Sequence, residues 1–213
     1  MPITTFLFDL DGTLLDSFTL ISTGFHHACR TVLGRDLTEQ QIVADWGAPL
    51  HTRFARVEAT RVRDLVNAYI AYYEAHHNRL ASLFPGVLEM LEVLKARGCR
   101  MGVVTSKRRR TTDMGLRTFN LTRFFDAVVS EEDVRSPKPA PEPVLEALRQ
   151  LGEDPNDALM VGDGVFDMRA AQAAGVRSVA ALWGTREREA LVATRPDYAA
   201  ASPADVVALV DAG

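Results

Sequence analysis

The stretch Thr5-Phe-Leu-Phe-Asp-Leu-Asp-Gly-Thr13 carries the first reading of the fold. Thr5 to Phe8 is short, apolar and β-prone, which predicts a buried strand. Asp9-Leu-Asp11-Gly-Thr13 then turns polar and gains a glycine, which predicts a loop at the strand's carboxyl end. Asp-Gly is a common turn by itself. Here it follows a buried strand instead of joining a hairpin, and Asp9 sits at its mouth.

Working outward, four more runs read as strands: 100–105 (RMGVVT), 126–129, 158–161 (ALMV) and 177–182. Helical patterns lie between them at 86–97, 109–119, 141–151 and 167–174. Gly98, Gly152 and Gly175 follow three of these where helix C-terminal caps belong. Strands alternating with helices predict βαβ units and a parallel sheet covered on both faces, the α/β class. The segment 17–83 is the exception. It shows long amphipathic patterns at 17–33 and 61–80, no convincing strand, and a break at Gly47-Ala-Pro49. It reads as a helical insertion. The expected organisation is a core from 1–16 and 84–213 and a helical unit from 17–83. Residues 199–204 read as a loop before a last helix at 203–210.

The chain has 213 residues, 47% hydrophobic and 24% charged, enough for one core and a modest insertion. The net charge of −4 argues against general binding to nucleic acid. Cys29 and Cys99 have no metal-ligand spacing and read as reduced core thiols. No apolar run approaches the roughly 20 residues of a membrane span. No basic leader precedes the first strand, whose apolar run is cut by Asp9, so a signal peptide is not expected and the cytoplasm is the expected location.

Ligands of a doubly wound sheet bind beyond the carboxyl ends of its strands. Four strand ends here carry polar groups: Asp9 with Asp11, Thr105 with Ser106, the Lys138 loop, and Asp163 with Asp167. Carboxylates gathered in one crevice repel each other, and a bound cation relieves this. An all-oxygen donor set suits Mg²⁺.

These segments resemble the four motifs of the haloacid dehalogenase-like hydrolases. They are Asp9-Leu-Asp11-Gly-Thr13, Thr105-Ser106, Lys138 within Ser-Pro-Lys-Pro-Ala-Pro, and Gly162-Asp-Gly-Val-Phe-Asp167, in the family's order. The resemblance implies a Rossmann-like parallel sheet with an inserted α-helical cap. The insertion resembles that of the subclass holding phosphoglycolate phosphatases and a group of pyrophosphatases. Gly47-Ala-Pro-Leu-His51, His76-His77, Met114-Gly-Leu116 and Phe124-Phe-Asp126 look closest to the latter.

The implied roles have physical reasons. Asp9 would be the nucleophile, forming an acyl phosphate. Asp11 would protonate the leaving oxygen and later deprotonate water. Mg²⁺ would sit among Asp9, the Asp11 backbone carbonyl and Asp163, with Asp167 ligating it or orienting a metal-bound water. Lys138 would neutralise phosphate and hold Asp9. Gly12, Thr105 and Ser106 would help bind phosphate oxygens. Each has a plainer alternative: Thr105 as a strand residue, Lys138 as a surface lysine, Asp163 as a turn residue, Asp167 as a helix N-cap. Gly164 replaces the commoner serine or asparagine of the fourth motif.

The implied activity is hydrolysis of a small phosphorylated metabolite, phosphoglycolate-like, or of pyrophosphate. The alternatives are a phosphosugar mutase and a non-catalytic phosphate-binding regulator. The mutase is disfavoured by Ile21, where related mutases carry a histidine. A phosphonate-cleaving branch is disfavoured because the only lysines are Lys95, Lys107 and Lys138, none in the insertion. Dehalogenases of this superfamily lack the equivalent of Asp11. Gly47, Pro49, His51 and Arg53 are the candidate specificity residues of the insertion. His51, Arg53, Arg56, His76 and His77 are candidates for the distal part of a substrate, where a cation would favour a second anionic group, a carboxylate or a phosphate; Arg56 reads as solvated. Lys107-Arg-Arg-Arg110 reads as a solvated helical face in preference to an anion-attracting rim or a nucleic-acid patch.

Overall fold

A computed structural model describes residues 3–211. The strands are β1 (Thr5–Phe8), β2 (Leu15–Asp16), β3 (Ser82–Leu83), β4 (Arg100–Val104), β5 (Ala127–Val129), β6 (Ala158–Gly162), β7 (Arg177–Ala181) and β8 (Tyr198–Ala200). The helices are α1 (Phe18–Leu33), α2 (Glu39–Val43), α3 (Leu50–Val57), α4 (Val62–Leu80), α5 (Val87–Ala96), α6 (Arg109–Thr118), α7 (Glu142–Leu151), α8 (Val165–Ala173), α9 (Arg188–Ala193) and α10 (Pro203–Ala208).

Six strands form one sheet in the order β5-β4-β1-β6-β7-β8, every pair parallel. β1 is central, and its side chains alternate between two apolar layers as the pleat requires. Phe6 and Phe8 join the layer of Val87, Leu91, Leu116 and Val206, from α5, α6 and α10. Leu7 joins Val144, Leu148 and Ala170, from α7 and α8. Burial on both faces explains why these strands read as unbroken apolar runs. The chain runs from β1 to β4 and β5 on one side, then to β6, β7 and β8 on the other. That reversal opens a crevice at the carboxyl end of β1.

The insertion has its own apolar cluster, with Leu20, Phe25, Phe54, Leu65, Tyr69 and Tyr73 at its centre. The chain leaves and re-enters the sheet unit through the antiparallel β2–β3 pair, Leu15 opposite Leu83.

Several expectations need correction. Ser82–Leu83 is a strand inside the stretch expected to hold none; two residues give no periodicity to read. Residues 198–200 form β8 where a loop was expected from 199. Alanines carry little β signal, but pairing with Val179–Ala181 extends the sheet edge. α9 was not foreseen. α8 begins at Val165, so Asp167 lies at its third position and is not the N-cap.

Candidate active site

The carboxyl ends of β1, β4 and β6 lie side by side. Asp9 follows β1 directly, its N–H donating to Val161 O at 2.9 Å. The loop beyond it is tight: Leu14 and Leu15 N–H both donate to Leu10 O, and Gly12 N–H donates to Leu15 O. Gly12 has φ +85°, and a Cβ there would stand 2.1 Å from Asp163 Oδ2. Only glycine serves both the conformation and the approach.

Lys138 Nζ donates to Asp9 Oδ1 (2.8 Å), Asp167 Oδ1 (2.6 Å) and Val104 O (3.0 Å). Its three donors are all committed. Asp167 Oδ2 accepts the Gly164 N–H at 2.9 Å. Gly162 leaves room for Asp167, since a Cβ there would lie 2.4 Å from the Asp167 Cβ. Asp163 accepts from Thr13 Oγ1 at 3.1 Å and from the Trp46 indole N–H at 3.0 Å. Trp46 comes from the inserted unit, so this bond ties the insertion to the sheet edge.

Asp9, Asp163 and Asp167 each offer an oxygen within 4.8 Å of the others, and all three are buried. Burial pushes Asp9 up to about 7; Lys138 opposes this, and Asp167 and Asp11 add to it. Burial, reinforced by Asp9 and Asp167, pushes Asp163 well above the usual carboxylate range. Burial would lower Lys138, but Asp167 and Asp9 hold it above its ordinary value. One ammonium against three buried carboxylates leaves negative charge uncompensated, and the donors are all oxygen. The residues fit a divalent cation such as Mg²⁺.

Asp11 lies apart from that cluster. Its Oδ1 accepts from Ser17 Oγ at 2.7 Å, and Lys107 Nζ donates to both its oxygens at 2.8 and 2.7 Å. Lys107 also reaches the Tyr73 hydroxyl at 2.5 Å and stands 4.4 Å from that ring's centre. This corrects the solvated-face reading for Lys107, whose side chain is 10% exposed. α6 begins only at Arg109, so Lys107 belongs to the loop that turns back across the crevice. The other three basic residues behave as solvated ion pairs: Arg108 with Glu132, Arg109 with Asp133 and Arg110 with Glu74.

A cavity of about 80 Å³ lies between the two units, bordered by Asp9, Asp11, Thr105, Ser106 and Lys107 from the sheet side. Ile21, Trp46, Gly47, Leu50, Arg53, Tyr69 and Tyr73 border it from the insertion. Thr105 is buried and its hydroxyl accepts from Lys107 N–H at 3.3 Å. The Ser106 hydroxyl is enclosed without a hydrogen-bond partner. Pro49 starts α3 and does not reach the cavity. His51 turns outward, its side chain 62% exposed, with Nδ1 2.9 Å from Glu131 Oε1. His76 stacks on Tyr72 and His77 is buried beside Tyr73, both away from the cavity. Arg56 pairs with Asp45 at the surface. Trp46 and Tyr73 were not singled out. Tyr73 follows Tyr69 by one helical turn, and Trp46 precedes the Gly47 break; both features were visible.

Residues 6–181 match the family model for haloacid dehalogenase-like hydrolases. The chain belongs to that family. It is 38% identical over 198 residues to the pyrophosphatase PpaX of Bacillus cereus, covering 93% of this chain and 92% of that one. It is 36% identical to PpaX of Bacillus mycoides over 99% and 98% of the two chains. Among solved structures it superposes on a haloacid dehalogenase-like hydrolase of Streptococcus pneumoniae with TM-score 0.85 at 31% identity, covering 97% of each chain. A Lactobacillus plantarum protein, provisionally named a phosphoglycolate phosphatase, gives TM-score 0.87 at 26% identity over 98% of this chain and 100% of that one. This haloacid dehalogenase-like chain is thus a hydrolase of phosphatase or pyrophosphatase type. None of its described helices is long and apolar enough to cross a membrane.

Proposed function

We propose that this hydrolase is Mg²⁺-dependent and cleaves a small phosphate monoester or phosphoanhydride through a phosphorylated Asp9. The observation that carries the reading is the placement of Asp9. Its carboxylate is fixed by Lys138, adjoins Asp163 and Asp167, and borders the same cavity as Asp11.

Asp9, Asp163 and Asp167 would hold the cation, which supplies charge neutralisation for the incoming phosphate. Asp11 would contribute only its backbone carbonyl, because its carboxylate faces Lys107. In the first step an Asp9 oxygen bonds to phosphorus as the bond from phosphorus to the leaving oxygen breaks. The leaving oxygen takes a proton from the Asp11 carboxyl. In the second step Asp11 takes a proton from water, whose oxygen attacks phosphorus. Asp9 leaves as carboxylate and inorganic phosphate is released. Gly12, Thr105 and Ser106 surround the phosphoryl oxygens, and Lys138 holds Asp9 for in-line attack.

The helices of 17–83 act as the cap over a core of 1–16 and 84–213, excluding water when closed. Pyrophosphate and phosphoglycolate-like esters are the substrates favoured, consistent with the named activities of the relatives. Ile21 borders the cavity and cannot act in acid–base transfer, which disfavours a mutase.

The test is p-nitrophenyl phosphate hydrolysis with Mg²⁺, acid-quenched early and followed by peptide mass spectrometry. Phosphate release with a phosphoryl group on the peptide bearing Asp9 supports the reading. Release with the label on another residue refutes it.

A further inference from the structure

Three cations border the cavity beyond Asp9 and Asp11 without contacting the nucleophile, and one of them, Arg108, is paired with Glu132. Lys107 is the second. Arg53 is the third, and its environment is unusual for a guanidinium. Its Nη2 donates to Ile42 O, while its Nε is enclosed with no hydrogen-bond partner. It is held flat by aromatics, 4.2 Å from the centre of the Phe25 ring and 5.3 Å from that of Trp46. Burial pushes it down to about 10, and Tyr69 and Asp11 oppose this only in part. Arginines removed from water are normally paired with an anion. Here no described carboxylate lies within ion-pair distance.

A second orphan borders the same cavity: the enclosed Ser106 hydroxyl. Two unpartnered polar groups on opposite walls indicate a space shaped for a polar guest. Its size limits the guest. About 80 Å³ is far below the roughly 300–1,000 Å³ of sites for drug-sized ligands. A nucleoside or hexose does not fit this arrangement.

We propose that Arg53 and Lys107, with the Tyr73 hydroxyl, form a subsite for a compact anionic leaving group, specifically a second phosphoryl group. This rests on the phosphohydrolase reading above. A planar fork, a point charge and a hydroxyl approach from different elements: α3, the loop after β4, and α4. A tetrahedral group with several terminal oxygens draws on all three, Lys107 exchanging one of its two bonds to Asp11 for a bond to the guest. A carboxylate shares the charge but has only two oxygens. Lys107 and Tyr73 already touch each other across the two units, so the guest lies where the insertion meets the core. Arg53 and Lys107 thereby set specificity toward substrates charged on both sides of the scissile bond.

The experiment compares three inhibitors of p-nitrophenyl phosphate hydrolysis in the full chain with Mg²⁺: methylenediphosphonate, phosphonoacetate and methylphosphonate. Calorimetric titration of the same compounds gives affinities independent of turnover. The wild type is expected to bind methylenediphosphonate about 10- to 100-fold more tightly than methylphosphonate, the range of one or two hydrogen bonds to charged groups. Arg53→Met and Lys107→Met each cut that preference about 10-fold or more, and Arg53→Lys restores part of it. Circular dichroism identifies any variant that fails to fold, in which case Arg53→Lys and Lys107→Arg carry the comparison. Equal binding of the three compounds by the wild type, or a preference unchanged in both variants, overturns the subsite. A preference for phosphonoacetate that the variants lose overturns the phosphoryl assignment in favour of a carboxylate. Failure to hydrolyse any phosphate ester overturns the phosphohydrolase reading instead, and leaves the calorimetric contrast to decide the subsite.

Discussion

The ammonium of Lys138 lies 2.8 Å from Oδ1 of Asp9, although 129 residues separate them in sequence. The pair is buried, and Lys138 also neutralises Asp167. One cation thus aims the carboxylate proposed as nucleophile and offsets part of the charge of the carboxylate cluster.

Lys138→Met therefore removes compensation as well as orientation. Breaking a buried pair on one side costs about 3–5 kcal/mol. Urea denaturation without metal should show a loss of that order, partly recovered when Mg²⁺ is added, because the variant cluster carries more net negative charge. Turnover should fall at least about 10²-fold even with saturating Mg²⁺. A variant as stable as the wild type in EDTA would mean that the carboxylates are already protonated there.

Trp46 carries a prediction about metal affinity. Its indole N–H holds Asp163 Oδ2, while Thr13 holds Oδ1. Donors that orient ligating carboxylates are worth about 10- to 100-fold in metal binding. Trp46→Phe keeps the apolar body and removes the donor. Calorimetric titration with Mg²⁺ should show affinity weakened about 10-fold, with little change in unfolding temperature. Unchanged affinity would show that Thr13 alone fixes Asp163.

His77 gives a pH-dependent contribution to stability. It is fully buried, with Nε2 unpartnered and Nδ1 3.2 Å from Asn78 Oδ1. Burial lowers its pKa from the ordinary 6.5; the Asn78 contact opposes this and Lys107 adds to it. The neutral ring therefore belongs to the folded state. Below about pH 6.5 the unfolded chain gains a proton that the folded chain resists, so stability is lost as pH falls through that range. His77→Phe should flatten the fall in melting temperature between about pH 7 and 5 relative to the wild type. Parallel profiles for the two proteins would rule this out.

The sheet was legible because its strands are buried on both faces and end in glycine or polar residues, as Phe8-Asp9 and Gly162-Asp163 do. Those junctions also exposed most of the candidate site, since a carboxylate directly after an apolar run has few structural uses. What was illegible depended on distance. Nothing in the run Lys107-Arg-Arg-Arg110 distinguishes the first cation, which folds back onto Asp11, from three that meet solvent. His51 beside a turn looked no different from Arg53, yet one faces Glu131 and the other the cavity. Gly184 gave no signal at all, although a Cβ there would fall 1.7 Å from Gly12 O. Such close approaches between segments 172 residues apart arise only in the folded chain. Pro49, a candidate because it lies in the Gly47–Leu50 break, stands at the start of α3 outside the residues that line the cavity.

The central claim is that Asp9 attacks phosphorus, and Asp9→Asn tests it most directly. The amide keeps the shape and one acceptor but is not a nucleophile at this task. With p-nitrophenyl phosphate and Mg²⁺, kcat/KM should fall at least about 10³-fold while the circular dichroism spectrum stays that of the wild type. A folded variant that retains a tenth or more of the wild-type rate would contradict the account.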